Sequence, residues 1–388
     1  MLKNIFADLH IHIGRDYKQN HVKISASHEL TMPNILKEAS RNKGIGLIGV
    51  IDCHAPNVLA QLRQLIDEGI AYELKDGGIR FEDVTLLLGS EIEVYDEHSQ
   101  GPFHVLIFIP TIEKMNEFSS WLTDKMTNIH LSSQRIYCTG RELQAKTKQL
   151  DGLFIPAHVF TPFKSLYGRG VKSSLKEVLN PEEIDAIELG LSSDTAMADQ
   201  ISELHRYPYV TNSDSHSLSK IGREYQQLRL KEASFTEFVY SLQGKDGRKI
   251  VSNYGMNPHL GKYYRTVCQT CFSEATIGEK ACFQCESKRI ITGVADRIEQ
   301  LSTPGNELPK RPPYIYQVPL EYIPGLGPKT LQNLLKTFKT EMNIIHHATY
   351  EELTDVVSSQ IAQSIIKMRK GKLKIASGGG GKYGRVID

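Results

Sequence analysis

The sequence predicts an α/β protein in which a barrel-like domain is followed by a small cysteine module and a helical region. Three observations lead to this prediction. Apolar, strand-like runs alternate with amphipathic helical segments through to about residue 242. Two Cys-x2-Cys pairs follow within residues 262–292, and a helical pattern occupies residues 320–375. A proline-rich stretch over residues 293–319 separates the last two and predicts a stiff linker.

The strands of the barrel-like domain, residues 1–242, have polar ends. Six strand-like runs end in His, Asp or Glu, and a seventh begins with His104. The runs span residues 5–12, 47–54, 86–91, 104–108, 153–158, 184–188 and 209–216. Helical periodicity between them covers residues 32–42, 58–68, 112–126 and 195–205. This alternation favours a mainly parallel sheet or barrel, which collects its chemistry at one rim, so we expect one polar site.

The types of these side chains predict a metal centre. Residues i and i+2 of a strand point to the same face, so His10 and His12 can bind one ion. Leu9 and Ile11 then pack behind them on the other face. Asp214 and His216 repeat this spacing. Imidazole and carboxylate donors without thiolate favour zinc, manganese or iron over a soft metal, and the candidate active-site ions are Zn²⁺, Mn²⁺ or Mg²⁺. Because the candidate ligands exceed the need of one ion, we expect two or three clustered divalent ions that activate a water and hold a phosphate ester.

Composition is that of an ordinary globular protein, with 40% hydrophobic and 23% charged residues among 388. No apolar run is long enough to cross a bilayer, and no charged-then-apolar leader is present, so we expect no membrane partner and a cytoplasmic location. Residues 1–219 carry 21 Lys and Arg against 29 Asp and Glu, whereas residues 220–388 carry 25 against 16. The acidic half suits cation binding, and the basic half suits a polyanion such as DNA. Chance unevenness is the alternative.

Four of the six cysteines form two close pairs separated by ten residues. The pairs are Cys268 with Cys271 and Cys282 with Cys285. They supply the four thiolates that a closed tetrahedral zinc site requires, and without a secretory signal this spacing favours metal over disulfides. So small a segment cannot bury enough apolar surface alone, and one structural Zn²⁺ would therefore supply much of its folding free energy. Phe272 and Phe283 flank the pairs and are expected to pack over the site.

Residues 320–375 contain a glycine turn that opens an amphipathic helix. Gly325 and Gly327 allow the backbone to approach a phosphate closely, and the helix start with Lys329 and Thr330 favours an anion. The pattern resembles the helix-hairpin-helix element, which grips nucleic-acid backbone without reading sequence. The alternative is a helical connector that binds no ligand.

The last part of the sequence is basic and rich in glycine. Five cations in the eight residues from Lys367 to Lys374 predict either a solvated helix end or a surface for the phosphates of a second DNA strand. The tail, residues 376–388, places Lys382 and Arg385 beside a run of glycines. We expect it to be either a disordered end or a segment that folds over bound DNA.

The ligand-bearing motifs together resemble the polymerase-and-histidinol-phosphatase (PHP) superfamily. The motifs are Asp8-x-His10-x-His12, Asp52-Cys53-His54, Gly89-Ser90-Glu91, His104, Pro156-Ala157-His158 and Asp214-x-His216. The resemblance implies a distorted (β/α)7 barrel, a multinuclear metal site and hydrolysis of phosphate esters. It also implies metal-ligand roles for His10, His12, Glu91, His104, His158, Asp214 and His216, with Asp214, Glu91 and His158 as the predicted catalytic residues.

Two features depart from the PHP pattern. The second motif usually has adjacent Asp and His, but Cys53 intervenes here, so Asp52, His54 or both are the predicted ligands. No counterpart is found for the extra His that some members carry after the first motif, which leaves the third ion open. Glu188 is expected to be a ligand, a partner that orients a ligand, or a substrate contact.

Over nearly the whole chain, the order of PHP barrel, cysteine module, helix-hairpin-helix and glycine-rich basic tail resembles the endonuclease Q family of DNA repair enzymes. The family implies a nick on the 5′ side of deaminated bases (uracil, hypoxanthine, xanthine) and abasic sites in double- or single-stranded DNA. A base read during backbone cleavage is expected to be extruded into a pocket. Candidate wall residues are Phe160, Phe163, Tyr167, Arg169 and Glu188, with simple loop packing as the alternative for the loop. The alternative functions are a PHP-type 3′–5′ exonuclease or phosphomonoesterase, and a non-catalytic DNA-binding scaffold.

Overall fold

The computed structural model describes residues 1–303, 307–379 and 382–387. The strands are β1 Lys3–Ile11, β2 Leu47–Val50, β3 Tyr72–Glu73, β4 Ile79–Phe81, β5 Val84–Val94, β6 Phe103–Ile109, β7 Arg135–Ile136, β8 Leu153–Pro156, β9 Ile187–Glu188, β10 Tyr209–Val210, β11 Tyr225–Leu230, β12 Lys249–Gly255, β13 Val267–Cys268, β14 Ile290–Ile291, β15 Tyr314–Tyr316, β16 Ile375–Ala376 and β17 Arg385–Val386. The α-helices are α1 Met32–Lys37, α2 Pro56–Asp67, α3 Ile112–Thr123, α4 Gly140–Gln149, α5 Thr195–Ala198, α6 Phe235–Gln243, α7 Val294–Leu301, α8 Pro328–Phe338, α9 Glu341–His346, α10 Tyr350–Thr354 and α11 Ser359–Arg369.

The main sheet is mixed, so the prediction of a mainly parallel sheet holds only for part of it. The ladder β1–β2–β5 is parallel, whereas β5–β6, β6–β8, β1–β11 and β11–β12 are antiparallel. The short connection between β5 and β6, residues 95–102, explains why these two strands are antiparallel. A parallel pair needs a crossover of roughly a dozen residues or more, and this connection is too short for one.

The polar ends of the strands nevertheless meet at one region of the domain. Strands β9 and β10 form a separate parallel pair beside the main sheet. Backbone N–H of Val159, after β8, donates to the Glu188 carbonyl at 3.1 Å, and N–H of Ser215, after β10, donates to the His10 carbonyl at 2.9 Å. These two hydrogen bonds connect the β9–β10 pair to β8 on one side and to β1 on the other. The predicted (β/α)7 closure itself stays a prediction.

An irregularity in β1 sets the direction of the first ligands. The register between β1 and β2 shifts between Asp8 and Ile11. Leu9 packs in the inner apolar cluster, whereas Ile11 packs in the larger cluster of residues between sheet and helices. The two residues therefore do not pack behind the histidines together, as strict alternation predicted, because a bulge reverses the side-chain alternation of the strand.

Most predicted helices form, but the one expected over residues 195–205 is too long. Helix α5 ends at Ala198, and a single 3₁₀ turn follows at Ser202–Leu204. The intervening Asp199 is buried, and its carboxylate accepts hydrogen bonds from Tyr209 Oη at 2.8 Å and Arg311 Nη2 at 2.9 Å. These tertiary bonds fix the chain where the helical pattern would have continued.

The main sheet continues beyond residue 242, the end of the predicted barrel domain. Strand β12 pairs with β11, and β15 then pairs with β12 in parallel. The predicted linker, residues 293–319, contains both α7 and β15; Pro304 of this stretch lies outside the described residues. Helix α7 is fixed to the barrel domain because Arg297 Nε donates to the Tyr167 carbonyl at 2.8 Å.

The C-terminal helices α8–α11 pack against the barrel domain through buried polar contacts. Lys43 Nζ lies 2.8 Å from Glu341 Oε1, and Tyr225 Oη lies 2.6 Å from His346 Nε2. Burial lowers the pKa of His346 to about 3, so its ring is neutral in this contact. Within the described ranges, no helix is both long and apolar enough to cross a membrane.

Candidate metal centre and adjoining cavity

Six of the predicted ligands meet in two clusters. In each cluster the three ligand atoms lie within 4.8 Å of one another. The clusters are His10, His12 and Asp214, and Glu91, His104 and His158. Glu91 joins them, because its Oε1 lies 3.4 Å from His10 Nε2 and its Oε2 lies 3.6 Å from His12 Nε2. The side chains come from β1 and the residue directly after it, from β5 and β6, and from the turns after β8 and β10.

The two turn residues have strained backbone. His158 has φ of 31° and Asp214 has φ of 46°, a region that residues other than glycine rarely occupy. His158 follows β8, which ends at Pro156, and Asp214 follows β10, which ends at Val210. In each case the left-handed turn directs the side chain back into the site. Strain of this kind persists only where the surroundings enforce it, and it concentrates at functional sites.

Two carboxylates behind the clusters orient the histidines. Glu188 Oε1 lies 3.0 Å from His10 Nδ1, and Asp52 Oδ2 lies 3.2 Å from His12 Nδ1. Each contact leaves the opposite nitrogen, Nε2, facing the centre. Among the described residues, both of these buried Nε2 atoms lack a hydrogen-bond partner, as expected of nitrogens that bind metal. The imidazole and carboxylate donors therefore fit divalent ions.

Three predicted ligands lie outside both clusters. Asp52 faces His12 and accepts the backbone N–H of Ile13 at 2.7 Å, so it supports a ligand instead of joining the clusters. His54 is fully buried, and burial lowers its pKa. His216 Nδ1 lies 3.5 Å from Asp214 Oδ1, next to the first cluster. Glu188, for which three roles were open, makes the contact expected of an orienting partner.

The carboxylates of the centre are held in the ionised form. Burial alone would raise the pKa of Glu91, but His104 and Lys23 outweigh it, and the pKa lies well below its usual range. The pKa of Asp214 is likewise low, because His10 and His12 outweigh the effect of burial. Of the six clustered side chains, Asp214 is the most exposed, at 32%.

Lys23 and Ser133 are among the residues of the centre that sequence reasoning missed. Lys23 Nζ lies 3.2 Å from Glu91 Oε2, and Ser133 Oγ donates to the same oxygen. Both lie in loops without strand or helix periodicity, and no motif contains them. Only the three-dimensional contact identifies them.

A cavity of about 730 Å³ adjoins the centre. Acidic and imidazole groups of the metal centre form one part of its wall, namely Asp214, His158 and Glu188. The wall also contains four aromatic rings, Phe163, Tyr263, Tyr322 and Tyr383, and three basic or amide groups, Asn212, Arg223 and Lys262. The Phe163 and Tyr263 rings meet edge to face, with centroids 5.7 Å apart.

Two of the five residues predicted to form a lesion pocket line this cavity. Phe163 and Glu188 line the cavity. Phe160 and Tyr167 do not, because both are buried in the core, where their rings stack at 5.4 Å. Arg169 is exposed outside the cavity lining, and its Nε donates to the Pro162 carbonyl at 3.2 Å. The alternative of simple loop packing therefore describes Phe160 and Tyr167.

The cysteine module brings its four thiols together. Cys268 Sγ lies 3.6 Å from Cys285 Sγ, and Cys271 Sγ lies 3.5 Å from Cys282 Sγ. A hydrogen bond from Ser273 lowers the pKa of Cys282 to about 6, which favours the thiolate that a metal requires. The four-sulfur donor set fits a structural zinc ion. Phe283 does not pack over the site as expected, because its side chain is fully exposed.

The candidate DNA-binding residues lie on the surface. Gly325 has φ of 83°, and Gly327 directly precedes α8, in which Lys329 is exposed and Thr330 is half-buried. A single 3₁₀ turn, Leu320–Tyr322, stands before the glycines, and the predicted helix-hairpin-helix stays a prediction.

The tail forms a hairpin in its described part. Strands β16 and β17 pair, and N–H of Gly384 donates to the Leu260 carbonyl at 3.0 Å. This contact places Tyr383 on the cavity wall, while Lys382 and Arg385 are exposed. Gly380 and Gly381 of the predicted tail lie outside the described residues.

No family model matches the sequence, but comparison with known proteins finds relatives that match over nearly their full length. The uncharacterized protein YqxK of Bacillus subtilis (strain 168) is 54% identical over 385 residues, which cover 99% of this chain and 100% of that one. The crystal structure of the lesion-specific endonuclease PfuEndoQ from Pyrococcus furiosus matches with a TM-score of 0.85 and 32% identity, covering 99% of this chain and 95% of that one. A structure of Endonuclease Q with a 27-mer duplex bearing an abasic lesion at the active site matches with a TM-score of 0.84 and 32% identity, covering 99% and 96%.

Proposed function

Because this chain belongs to the endonuclease Q family, we propose that it is a metal-dependent endonuclease that recognises a damaged nucleotide in DNA and cuts the backbone beside it. The observation that carries the proposal is the pair of three-ligand clusters joined by Glu91. Two of the clustered residues, His158 and Asp214, also line the adjoining cavity. The metal centre, where a phosphodiester would be cut, and the cavity, where a base would be recognised, are therefore adjacent.

The chain's own contribution to cleavage is to hold the donors in place. Divalent ions in the two clusters would supply a nucleophilic water at neutral pH and neutralise charge on the phosphate. Glu188 and Asp52 fix the rings of His10 and His12, so that little reorganisation is needed on binding. Asp214 is held in its ionised form and is the clustered side chain most open to solvent, so an ion that it helps to hold would be accessible to the phosphate and the attacking water.

We propose that the cavity receives the damaged nucleotide: uracil, hypoxanthine, xanthine or an abasic sugar. Its volume of about 730 Å³ exceeds what one base occupies, and small-molecule pockets fall in this range. The rings of Phe163 and Tyr263 suit stacking on an extruded base. The Arg223 guanidinium lines the cavity and has more N–H groups than its bonds to the Ser213 and Asp214 carbonyls use. Such donors suit a deaminated base, because deamination replaces an exocyclic amino donor by a carbonyl acceptor.

DNA backbone would be held by the basic half of the chain. The glycine turn before α8, with Gly325, Gly327, Lys329 and Thr330, presents backbone and charge at a helix start. In the tail hairpin, the exposed Lys382 and Arg385 flank Tyr383 on the cavity wall. Such contacts position DNA without reading its sequence. We propose that one zinc ion in the cysteine module fixes that part of the surface.

The deciding experiment uses duplexes that each carry one uracil, hypoxanthine, xanthine or abasic site, incubated with protein and either Mn²⁺ or Mg²⁺. A single nick on the 5′ side of the lesion, leaving a 3′-hydroxyl and a 5′-phosphate, is expected. A ladder from the 3′ end would instead indicate an exonuclease. Phosphate release from a monoester without nicking would indicate a phosphomonoesterase, and binding without cleavage would indicate a scaffold.

Two variants complete this test. Asp214→Asn should abolish nicking while DNA binding in a gel-shift assay remains, because the change removes one ligand charge without altering the basic half. Asp67→Asn, on an exposed residue at the end of α2, is the matched control and should nick as the unmodified chain does. Full nicking by Asp214→Asn would show that the metal centre is assigned wrongly.

A further inference from the structure

Three exposed side chains form a ring platform near the metal centre, and no ligand motif contains them. The platform consists of Tyr95, Arg135 and Tyr137. Arg135 Cζ lies 4.7 Å from the centre of the Tyr95 ring and 5.3 Å from the centre of the Tyr137 ring. A guanidinium is attracted to the face of each ring, and Arg135 Nη2 also donates to the Tyr95 carbonyl at 2.6 Å. Because Tyr95 is 39% exposed and Tyr137 is 62% exposed, the platform still presents aromatic surface to solvent.

The segment before the ring platform fixes it close to the ligands. The Ser133 hydroxyl donates to Glu91, which joins the two ligand clusters. Arg135 comes two residues after Ser133, and two residues of chain span at most about 7 Å. Strand β7, which begins at Arg135, pairs in parallel with the end of β5. The platform is therefore held by the same strand that carries Glu91.

The ring platform and the cavity lie beyond opposite edges of β5. At one edge β5 pairs with β6, β6 pairs with β8, and His158 of the cavity wall follows β8. At the other edge the end of β5 pairs with β7, so that Glu93 has His104 as its partner on one side and Arg135 on the other. The metal centre thus lies between the cavity and the platform. A DNA strand that leaves the cavity and crosses the centre would reach the platform next.

The position of the proposed nick identifies which nucleotide would arrive there. A phosphate cut on the 5′ side of a damaged nucleotide joins it to its 5′ neighbour, so with the damaged nucleotide in the cavity this neighbour lies across the centre from it. We propose that the ring platform is a subsite for this 5′ neighbour, whose base stacks on an exposed ring while Arg135 faces its phosphate. The inference rests on the proposed function, because it needs a nick on the 5′ side of a nucleotide bound in the cavity.

The chemistry of the platform suits this occupant. Extrusion of the damaged nucleotide removes a stacking partner from its 5′ neighbour, and an aromatic ring replaces that partner for any sequence, because every base has a π-face. A guanidinium has five N–H groups, more than the bond to the Tyr95 carbonyl uses, and it is suited to a phosphate. The platform therefore offers a contact for each part of the nucleotide.

The test reads the base of the 5′ neighbour directly. The probe is 2-aminopurine, an adenine analogue whose fluorescence falls when it stacks, placed on either the 5′ or the 3′ side of a single uracil in a duplex. Full-length protein with Asp214→Asn, expected to bind these duplexes without cutting them, receives Tyr137→Ala, Tyr137→Phe or Arg135→Gln in addition. Tyr72→Ala is the matched control, because Tyr72 is 58% exposed and belongs to the β3–β4 hairpin at the other end of β5.

At the 5′ position, fluorescence of the bound duplex should be higher with Tyr137→Ala and Arg135→Gln than with the platform intact. Tyr137→Phe and Tyr72→Ala should leave it unchanged, and at the 3′ position all variants should give the same signal. With Asp214 restored, Tyr137→Ala should raise KM for nicking by at least about 5-fold, the lower limit for loss of base–aromatic stacking, and leave kcat unchanged.

Equal fluorescence of all variants at the 5′ position would overturn the inference. A change with Tyr137→Ala at the 3′ position would also overturn it, because the ring would then hold a different nucleotide. Both results leave nicking beside uracil, and with it the proposed function, intact. No nick beside uracil by the unmodified chain would contradict the proposed function, and the inference with it.

Discussion

Glu224 is expected to make the protein less stable as the pH rises. This fully buried residue precedes β11, and its Oε1 accepts the backbone N–H of Met256 at 2.7 Å. Within the described part of the chain, neither Glu224 Oε2 nor the nearby buried Tyr314 Oη has a hydrogen-bond partner. Burial raises the pKa of Glu224 from 4.5 to about 8, and the charges of Glu188 and Asp8 add to this.

The direction and size of the effect follow from this difference in pKa. The folded chain binds a proton at Glu224 more tightly than the unfolded chain does, so the contribution to stability is complete below pH 4.5 and is lost as the pH rises to about 8. The whole difference corresponds to about 5 kcal/mol. Between about pH 5 and about pH 8, the loss is about 3.5 kcal/mol.

The substitution Glu224→Gln removes the titration and keeps the shape of the side chain. Its amide N–H can also donate to Tyr314 Oη, which the ionised carboxylate cannot do. Relative to the unmodified chain, Tm of Glu224→Gln should rise by about 4–6 °C more at about pH 8 than at about pH 5. Differential scanning calorimetry at constant Zn²⁺ and Mn²⁺ measures this, with Glu97→Gln, at a side chain that is 81% exposed, as the matched control. A difference in Tm that is the same at both pH values, or a variant less stable at about pH 8, would refute the reasoning.

Three further outcomes are expected. Glu188→Gln removes the charge that holds the His10 ring and should weaken Mn²⁺ binding roughly 10- to 100-fold, measured by equilibrium dialysis; unchanged affinity would mean that the 3.0 Å contact does not orient the ring. Cys282→Ser should lower bound zinc by one ion per chain and expose the module to limited proteolysis, and an unchanged zinc count would contradict the four-cysteine site. Gly384→Ala places a methyl carbon 2.4 Å from the Ala376 carbonyl oxygen, so it should loosen the tail hairpin and weaken binding of lesion DNA in a fluorescence titration, whereas equal affinity would argue against the tail as a DNA contact.

The strands that end in His, Asp or Glu could be predicted from the sequence, because both the end of a strand and the chemistry of a side chain depend on local sequence. His10, His12 and Asp214 fall where the spacing placed them, and so do Glu91 and His158. The endonuclease Q family, predicted from the order of the modules along the chain, is confirmed by full-length likeness. The motifs could not show which of these side chains belong to the two ligand clusters and which support a ligand from behind.

Asp52 illustrates the reason for that limit. Its strand end is as polar as the others, but its carboxylate points to the rear nitrogen of His12, which depends on the bulge in β1 and on the parallel register with β2. Lys23 has no periodic context, so only the fold brings it to Glu91. The cavity wall was predicted from one loop, whereas Tyr263 and Tyr383 reach it from distant parts of the chain.

The central place of β1 in the sheet has a consequence for folding kinetics. The strand pairs with β2 on one side and with β11 on the other, and the N–H of Leu9 bonds to Asn212 Oδ1, 203 residues away. Contacts of such long range form slowly, because the chain must close a large loop before they stabilise anything. His10 and Asp214 therefore meet only when this pairing is complete, and a partly folded chain has no assembled centre with which to cut DNA.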